Sequence, residues 1–310
     1  MGLTALDALA AALGPAVQRN VPLAPHTAMR VGGPADLLWV CERTDDLLRA
    51  ISLARRHGVD WRILGGGCNV LVSDEGLRGL VILYRAAQVT FEPLTDPDDW
   101  VTVQAESGAL LAVVAREAVA RAKAGLEWAV GLPGSVGGAV VGNAGAFGGD
   151  IAHTLHTATV LGPGGEVVER PAEWFEFDYR TSRIKRQSAA QAYVVLAATF
   201  RLPPGDPVAL ANRAREIAEW RRTRHPAGAT MGSTFKNPPG GHAGRLIEEA
   251  GLKGYRIGGA QVSEQHANFL MNTGHATAAD VWALIQHVQA TVRSRLGVTL
   301  ELEIERLGDW

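Results

Sequence analysis

Leu64-Gly65-Gly66-Gly67-Cys68-Asn69-Val70-Leu71 sets consecutive glycines directly after Arg62 to Leu64, a stretch that reads as a β-strand. Adjacent glycines let backbone N–H groups converge on an anion with no Cβ in the way, which suits a pyrophosphate; the same run also serves as a tight turn. Neither common nucleotide-binding spacing is present, since no GxGxxG opens a helix here and no Gly-Lys-Ser/Thr follows. Around the loop the order is strand (Leu37 to Val40), helix (Thr44 to His57), strand, glycine loop and strand (Gly79 to Leu83). That is a small α/β unit. Thr44, ahead of Asp45 and Asp46, is placed to cap the helix with its hydroxyl.

Downstream, strands at Val101 to Ala105, Ala158 to Leu161 and Tyr193 to Phe200 surround a helix at Leu110 to Lys123, an α+β layer. Gly162-Pro163-Gly164-Gly165 reads as a hairpin turn between two of its strands. Pro203-Pro204-Gly205 marks a boundary. Beyond it come helices at Pro207 to His225, Gly244 to Ala250 and Ala278 to Leu296, with strands around Arg256 to Val262, Phe269 to Asn272 and Thr299 to Leu307. The divisions expected are therefore 1–85, 86–202 and 203–297, with 298–310 able to return to the first.

The formal charge of −2 over 310 residues gives no basic field, which argues against nucleic acid and anionic membrane as partners. Cys41 and Cys68 are the only cysteines and form no CxxC, so neither a disulfide framework nor a metal site is expected, and the usage is cytosolic. Met1 to Gly14 reads as a short amphipathic helix, carrying Asp7 and lacking the basic start of a signal peptide. No apolar run approaches the roughly 20 residues that span a bilayer. The 36 glycines are the unusual number, because they fall in tight groups.

The largest group is Gly131-Leu132-Pro133-Gly134-Ser135-Val136-Gly137-Gly138-Ala139, followed by Asn143-Ala144-Gly145-Ala146-Phe147-Gly148-Gly149. A run so poor in side chains either packs a helix start closely on a strand or lies against something large and flat, such as an isoalloxazine ring. Met231-Gly232-Ser233-Thr234-Phe235-Lys236-Asn237-Pro238 brings hydroxyl, cation and amide into one loop. A hydroxyl is a useful proton donor only to a strongly basic centre such as an enolate carbon; a capping serine in a polar turn is the plainer reading. Tyr179-Arg180-Thr181-Ser182 offers a guanidinium for a carboxylate, and Arg221, Arg222 and Arg224 beside His225 offer either a diphosphate patch or a solvated helix face. In Leu300-Glu301-Leu302-Glu303-Ile304-Glu305 the period of two puts the carboxylates on one face of a strand, and pattern does not choose among Glu301, Glu303 and Glu305.

Together these segments resemble the UDP-N-acetylenolpyruvoylglucosamine reductases. The resemblance runs from about Asn20 to Gly308 through Asn20-Val21-Pro22-Leu23, Gly32-Gly33-Pro34-Ala35, the Gly65 to Asn69 loop, Gly131 to Gly148, Tyr179 to Ser182 and Gly232 to Pro238. It continues through Ala250-Gly251-Leu252-Lys253-Gly254, Gly258-Gly259-Ala260, His266-Ala267-Asn268-Phe269 and Leu300 to Gly308. It implies an α+β chain: a two-lobed FAD-binding fold of the vanillyl-alcohol-oxidase-like (PCMH) type, then an α+β substrate-binding domain, in the shorter form without an extra substrate loop. It implies non-covalent FAD held by Gly65, Gly66, Gly67, Cys68, Asn69, Gly131, Pro133, Gly134, Ser135, Gly138, Asn143 and Gly145, with NADPH as reductant. Residue by residue, it puts Ser233 at the proton donor, Arg180 at the catalytic arginine and Glu303 at the catalytic glutamate, breaking the tie among the three. Tyr179, Arg224, Lys236, Asn237, Lys253 and His266 fall at substrate positions.

Two residues depart from the pattern: Cys68 stands where serine is usual, and His225 where glutamine is usual. A thiol is the weaker hydrogen bonder. On this reading Arg180 holds the substrate carboxylate as charge grows, Glu303 shares the task in a protonated form that calls for burial, and Ser233 protonates C2. No protein partner is implied. The rival readings are an oxygen-using flavin oxidase on the same fold and a non-catalytic nucleotide-sugar binding protein.

Overall fold

A computed structural model of the chain describes residues 4–93, 100–187 and 193–310. The first elements are α1 (Ala5–Leu13), β1 (Gln18–Pro22), β2 (Pro34–Cys41), α2 (Thr44–His57), β3 (Trp61–Leu64), β4 (Val70–Val72), β5 (Leu77–Tyr84), β6 (Val89–Pro93), β7 (Val101–Glu106) and α3 (Leu111–Ala120). Next are α4 (Val136–Gly142), β8 (Gly145–Ala146), β9 (Gly149–Asp150), α5 (Ile151–Thr154), β10 (Leu155–Leu161), β11 (Val167–Pro171), α6 (Arg183–Arg186), β12 (Val194–Leu202) and α7 (Pro207–Arg224). Last are α8 (Ala243–Glu249), β13 (Arg256–Ile257), β14 (Ala260–Val262), β15 (Leu270–Asn272), α9 (Ala278–Leu296) and β16 (Glu305–Leu307). Among the described residues no helix is long and apolar enough to cross a membrane.

The elements group into two compact units. One comprises Met1–Trp39, Ala54–Val81 and Arg222–Trp310; the other comprises Val40–Leu53 and Ile82–Arg221. In the second unit an antiparallel sheet runs β11-β10-β12-β7-β6. Its inward face is read off the alternation in β7, where Val101, Val103 and Ala105 are buried and Thr102 and Gln104 are not. Leu111, Val114, Ala115 and Ala118 of α3 recur at helical spacing and are buried in the same core as Phe200, Ala198 and Val160. The glycine turn after β10 is the hairpin expected, closed by the Gly162 N–H on Glu166 O at 2.8 Å. Helix α3 stops three residues short of the stretch predicted because Ala122 takes a left-handed φ of 53°, and Lys123 N–H closes on Ala118 O at 2.9 Å. That is a Schellman stop with alanine where glycine would have signalled it.

The first unit has its own core. Val281, Leu284, Ile285, Val288 and Val292 of α9 are buried with Val262, Leu270, Phe235 and Met29. Thr277 and Asp280 form a capping box at the start of α9, and Asp74 accepts the Ala278 and Ala279 N–H groups at 2.8 Å each. Thr44 is a correction. It is the first residue of α2, not its cap, and its hydroxyl lies 2.7 Å from Tyr84 Oη and 3.2 Å from Glu106 Oε1. The terminal strand is another correction, since only Glu305–Leu307 forms one, pairing parallel with β4. Upstream, Leu302 makes an isolated bridge to Phe235. The segment changes partner between 302 and 305, so no continuous ladder forms, and burial departs from strict alternation at Glu303, which is half-buried like Leu302.

Entry to β2 is fixed by backbone touching backbone. Gly33 N–H donates to Ser73 O at 2.8 Å, and a Cβ on Gly33 would stand 1.9 Å from Asp74 O. A Cβ on Gly76 would stand 1.8 Å from Pro34 O. Gly33→Ala should therefore cost roughly 3 kcal/mol or more, because rigid backbone has to move. Gly297→Ala, at the left-handed end of α9 with a φ of 69° and nothing described within 4 Å of its Cβ, should cost only about 1 kcal/mol. Denaturant midpoints of the two variants check the contrast.

Candidate functional site

In the first unit, Ser233 sits in a segment clamped on both sides. Gly232 turns the chain with a φ of 77°, and Ser233 then bridges Phe269 while Phe235 bridges Leu302. Thr234 N–H donates to Asn268 O at 2.8 Å, and the buried Asn268 amide exchanges hydrogen bonds with Phe235, accepting its N–H at 3.0 Å and donating to its carbonyl at 2.8 Å. Asn268 thus replaces a missing strand neighbour. On the other side, Lys236 N–H donates to Glu301 O and Glu303 N–H to Thr234 O, both at 2.9 Å.

The carbonyl of Glu303 accepts from Asn69 Nδ2 at 3.2 Å, and Asn69 O accepts the Glu305 N–H at 2.9 Å. Asn69 closes the 65–69 loop, so the structure brings Glu303, the segment carrying Ser233 and the glycine loop together through one hydrogen-bond ladder. The three glutamates are not equivalent. Glu301 pairs with Lys236 at 3.5 Å and is 75% exposed; Glu305 pairs with Arg62 at 3.3 Å and is 51% exposed; Glu303 is half-buried.

Within the loop, Gly67 has a structural reason to be glycine, with a φ of 63° and a virtual Cβ 2.2 Å from His26 O. Cys68 Sγ donates to Gly66 O at 3.3 Å. The N–H groups of Gly66, Gly67 and Asn69 donate to no group among the described residues. Such a row of unmet amides suits an anion.

In the second unit, protein fills part of the glycine cluster. A Cβ on Gly137 would meet Ser107 at 2.7 Å, one on Gly149 would meet Trp128 at 2.3 Å, and one on Gly145 would meet Asp150 at 2.7 Å. Close packing accounts for these three. Gly134, Gly142 and Gly148 differ, because a Cβ there meets nothing described within 4 Å, although the positive φ of 121° and 85° calls for glycine at 134 and 148 in any case. Buried Ser135 accepts the Gly138 N–H at 3.4 Å at the start of α4, while the N–H groups of Gly134 and Ser135 have no acceptor among the described residues. Pro133 and Gly131 are exposed. These open glycines and unmet amides are what a dinucleotide's phosphates and a flat ring require, so both clusters fit FAD.

Arg180 takes a φ of 57° in the tight turn Asp178 to Thr181, and its guanidinium donates to Gly145 O at 2.6 Å, with a longer contact to Asn143 O at 3.5 Å. Asn143 is itself left-handed at the end of α4. Its side chain is taken up within the protein, Nδ2 donating to Asp178 O at 3.1 Å and Oδ1 accepting the Ala152 N–H at 3.1 Å. Asn143 therefore places the turn that carries Arg180. Tyr179 beside it is exposed.

The substrate candidates spread along the first unit. Asn237 Oδ1 accepts the first N–H of α8, from Ala243, at 3.0 Å; Lys253 pairs with Glu248 at 2.8 Å; Arg224 is exposed at the end of α7. His266 packs edge-on against His225 and Phe269, with its Nδ1 accepting the Asn268 N–H at 3.3 Å. Sequence reading missed Asn268, whose only signal was a polar residue inside an apolar stretch. Of the arginines at the end of α7, Arg222 and Arg224 are exposed, while Arg221 is a half-buried guanidinium packed over Gly131 with no ion pair or hydrogen bond among the described residues.

Burial, reinforced by Lys253, holds His266 below the ordinary imidazole value of 6.5, against the opposing pull of its own backbone and Glu248. A depressed base takes the proton less readily in the fold than in the unfolded chain, so its contribution is complete above about 6.5 and is lost as the pH falls below that value. The parent should lose stability between pH 7.5 and 5.5, and His266→Gln should lose less over the same interval. Urea midpoints at the two pH values give the comparison.

Residues 35–170 match the FAD binding domain family, and residues 224–307 match the C-terminal domain of UDP-N-acetylenolpyruvoylglucosamine reductase. A reductase of that name from Rubrobacter xylanophilus is 44% identical over 301 residues, covering 96% of this chain and 97% of its own. One from Chloroflexus aggregans is 43% identical over 286 residues, covering 92% and 95%. The solved UDP-N-acetylenolpyruvylglucosamine reductase of Thermus caldophilus superposes with a TM-score of 0.77 at 35% identity, over 94% of this chain and 99% of that one.

Proposed function

This chain belongs to the UDP-N-acetylenolpyruvoylglucosamine reductase family, and from that premise we propose that Ser233, Arg180 and Glu303 carry the reduction of UDP-N-acetylglucosamine enolpyruvyl ether to UDP-N-acetylmuramate, with FAD as cofactor and NADPH as reductant. The product is a peptidoglycan precursor, which ties the enzyme to wall growth, cell shape and division, and its nucleotide substrates assign it to the cytoplasm. We assign 1–85 with 298–310, and 86–202, to FAD binding and 203–297 to the substrate; the pairing of β16 with β4 supports the return of the C-terminus.

When bound, FAD supplies the hydride that reaches the terminal enolpyruvyl carbon. The chain's residues then have two tasks at C2, to hold the charge that grows there and to deliver a proton. Arg180 takes the substrate carboxylate. Its guanidinium is oriented in advance by Gly145 O, so no reorganisation falls on the reacting step, and one such donor is worth about 3 to 4 kcal/mol. Glu303 donates a hydrogen bond to the same charge, and Ser233 gives its proton to C2. Lys236, Asn237, Tyr179, Arg224, Lys253 and His266 bind the UDP-sugar. Gly65 to Asn69, Gly131, Pro133, Gly134, Ser135, Gly138, Asn143 and Gly145 hold FAD, Asn143 through its backbone, since its side chain is engaged.

The observation that carries this reading is the 2.9 Å hydrogen bond from Glu303 N–H to Thr234 O, which fixes the glutamate beside the segment of Ser233. Ser233→Ala separates the half-reactions. Bleaching of flavin by NADPH needs no proton from Ser233 and should run at nearly the parent rate. Reoxidation by the enolpyruvyl substrate should fall by at least about 100-fold. Parent-rate reoxidation in stopped flow would remove Ser233 as donor.

Glu303→Gln should slow that second half-reaction far more than Glu301→Gln or Glu305→Gln, whose carboxylates are engaged with Lys236 and Arg62 at the surface. Equal losses in the three variants, measured in the same assay, would contradict the assignment.

A further inference from the structure

Helix α7 touches the core of its unit along a narrow line. Leu210 and Ile217 are its buried residues and Ala214 packs between them, a 3.6-residue stripe whose next positions are Trp220 and Arg221. There the stripe leaves the core. Trp220 is 41% exposed, and Arg221 lays its stem over Gly131.

Trp220 meets the ring of Phe147 edge-on, with centroids 5.1 Å apart. Phe147 and Gly148 form the two-residue turn between β8 and β9, and both are left-handed, with φ of 51° and 85°. Such a turn is served without strain by Asn-Gly, and a bulky aromatic at its first position is unusual. The strain holds a ring against Trp220. The same hairpin carries Gly145, whose carbonyl holds Arg180, so the aromatic pair is built onto the element that orients that guanidinium.

We propose that Trp220, braced by Phe147, is a stacking platform for the base of a nucleotide whose phosphate lies toward Arg221. A half-exposed indole offers a flat apolar face, and a guanidinium without a protein partner among the described residues offers the complementary charge. Arg221 is partly desolvated, which lowers its affinity for the proton and favours an anion beside it. The inference rests on the reductase reading, in which the reductant and the UDP-sugar both present a base and a diphosphate.

The test uses flavin-loaded protein and two probes, NADP+ and UDP, titrated calorimetrically against the parent, Trp220→Ala and Trp220→Phe. Loss of a base stack is expected to raise the Kd of at least one probe about tenfold in W220A, with W220F within about threefold of the parent. A shift for UDP alone assigns the platform to the substrate, for NADP+ alone to the reductant, and for both to each in turn. In parallel, emission of Trp220, taken as parent minus W220F, should be quenched by the probe whose Kd moves; this arm needs no truncation and decides the matter should W220A lose its flavin. Unchanged affinities in a W220A protein that keeps its flavin, or unquenched Trp220 emission, would overturn the platform and leave the pair as packing. Failure of the reductase reading looks different: the parent itself would bind neither probe.

Discussion

Three distant stretches of chain are tied by the backbone of Glu303. Its N–H reaches Thr234 O and its carbonyl takes Asn69 Nδ2, so the glycine loop, the Ser233 segment and the C-terminal stretch share one hydrogen-bond ladder. Backbone bonds of this kind are modest one at a time, but a group left unmet away from water costs more than the bond contributes, which favours keeping the whole ladder together. Asn268 completes the ladder on the far side by replacing a strand neighbour with its own amide. Ser233 and Glu303 are therefore placed by main chain and one buried amide.

Glycine does two different things in this protein. At Gly33, Gly76 and Gly67 a Cβ would collide with backbone, and at Gly137, Gly145 and Gly149 with Ser107, Asp150 and Trp128; these positions are demanded by the fold. At Gly134, Gly142 and Gly148 the space beside the chain is open. Gly134 and Gly148 are also called for by their own positive φ, so it is the amides of Gly66, Gly67, Asn69, Gly134 and Ser135, unmet among the described residues, that speak for a bound cofactor. A cluster count in the sequence does not separate the two sets, because both look alike until the neighbours are known.

Much of the fold was legible because local pattern and tertiary packing agree. The capped, amphipathic α9 and the alternating β7 read directly from spacing, and α2 was bounded correctly even though Thr44 turns its hydroxyl to Tyr84 and Glu106 instead of capping. The misses have physical causes. Helix α3 ends on a left-handed alanine that no sequence rule marks, and the alternation of Leu300 to Glu305 reports neither the half-burial of Glu303 nor the change of partner between Phe235 and Asn69. Residue pattern left Glu301, Glu303 and Glu305 tied; family resemblance chose Glu303, and the structure adds that the other two carboxylates face surface cations. Asn268 was invisible because its role depends wholly on what folds against it, and the sequence did not separate half-buried Arg221 from exposed Arg222 and Arg224.

The account stands on one flavin being reduced by NADPH and reoxidised by the enolpyruvyl sugar nucleotide. Anaerobic absorbance of the purified protein tests this in a single cuvette. The flavin band should bleach on adding NADPH, stay bleached without further additions, and return on adding UDP-N-acetylglucosamine enolpyruvyl ether, with one equivalent of substrate consumed per flavin. A flavin that is bleached by NADPH yet recovers only when oxygen is admitted, or a preparation with no flavin band, would contradict the account.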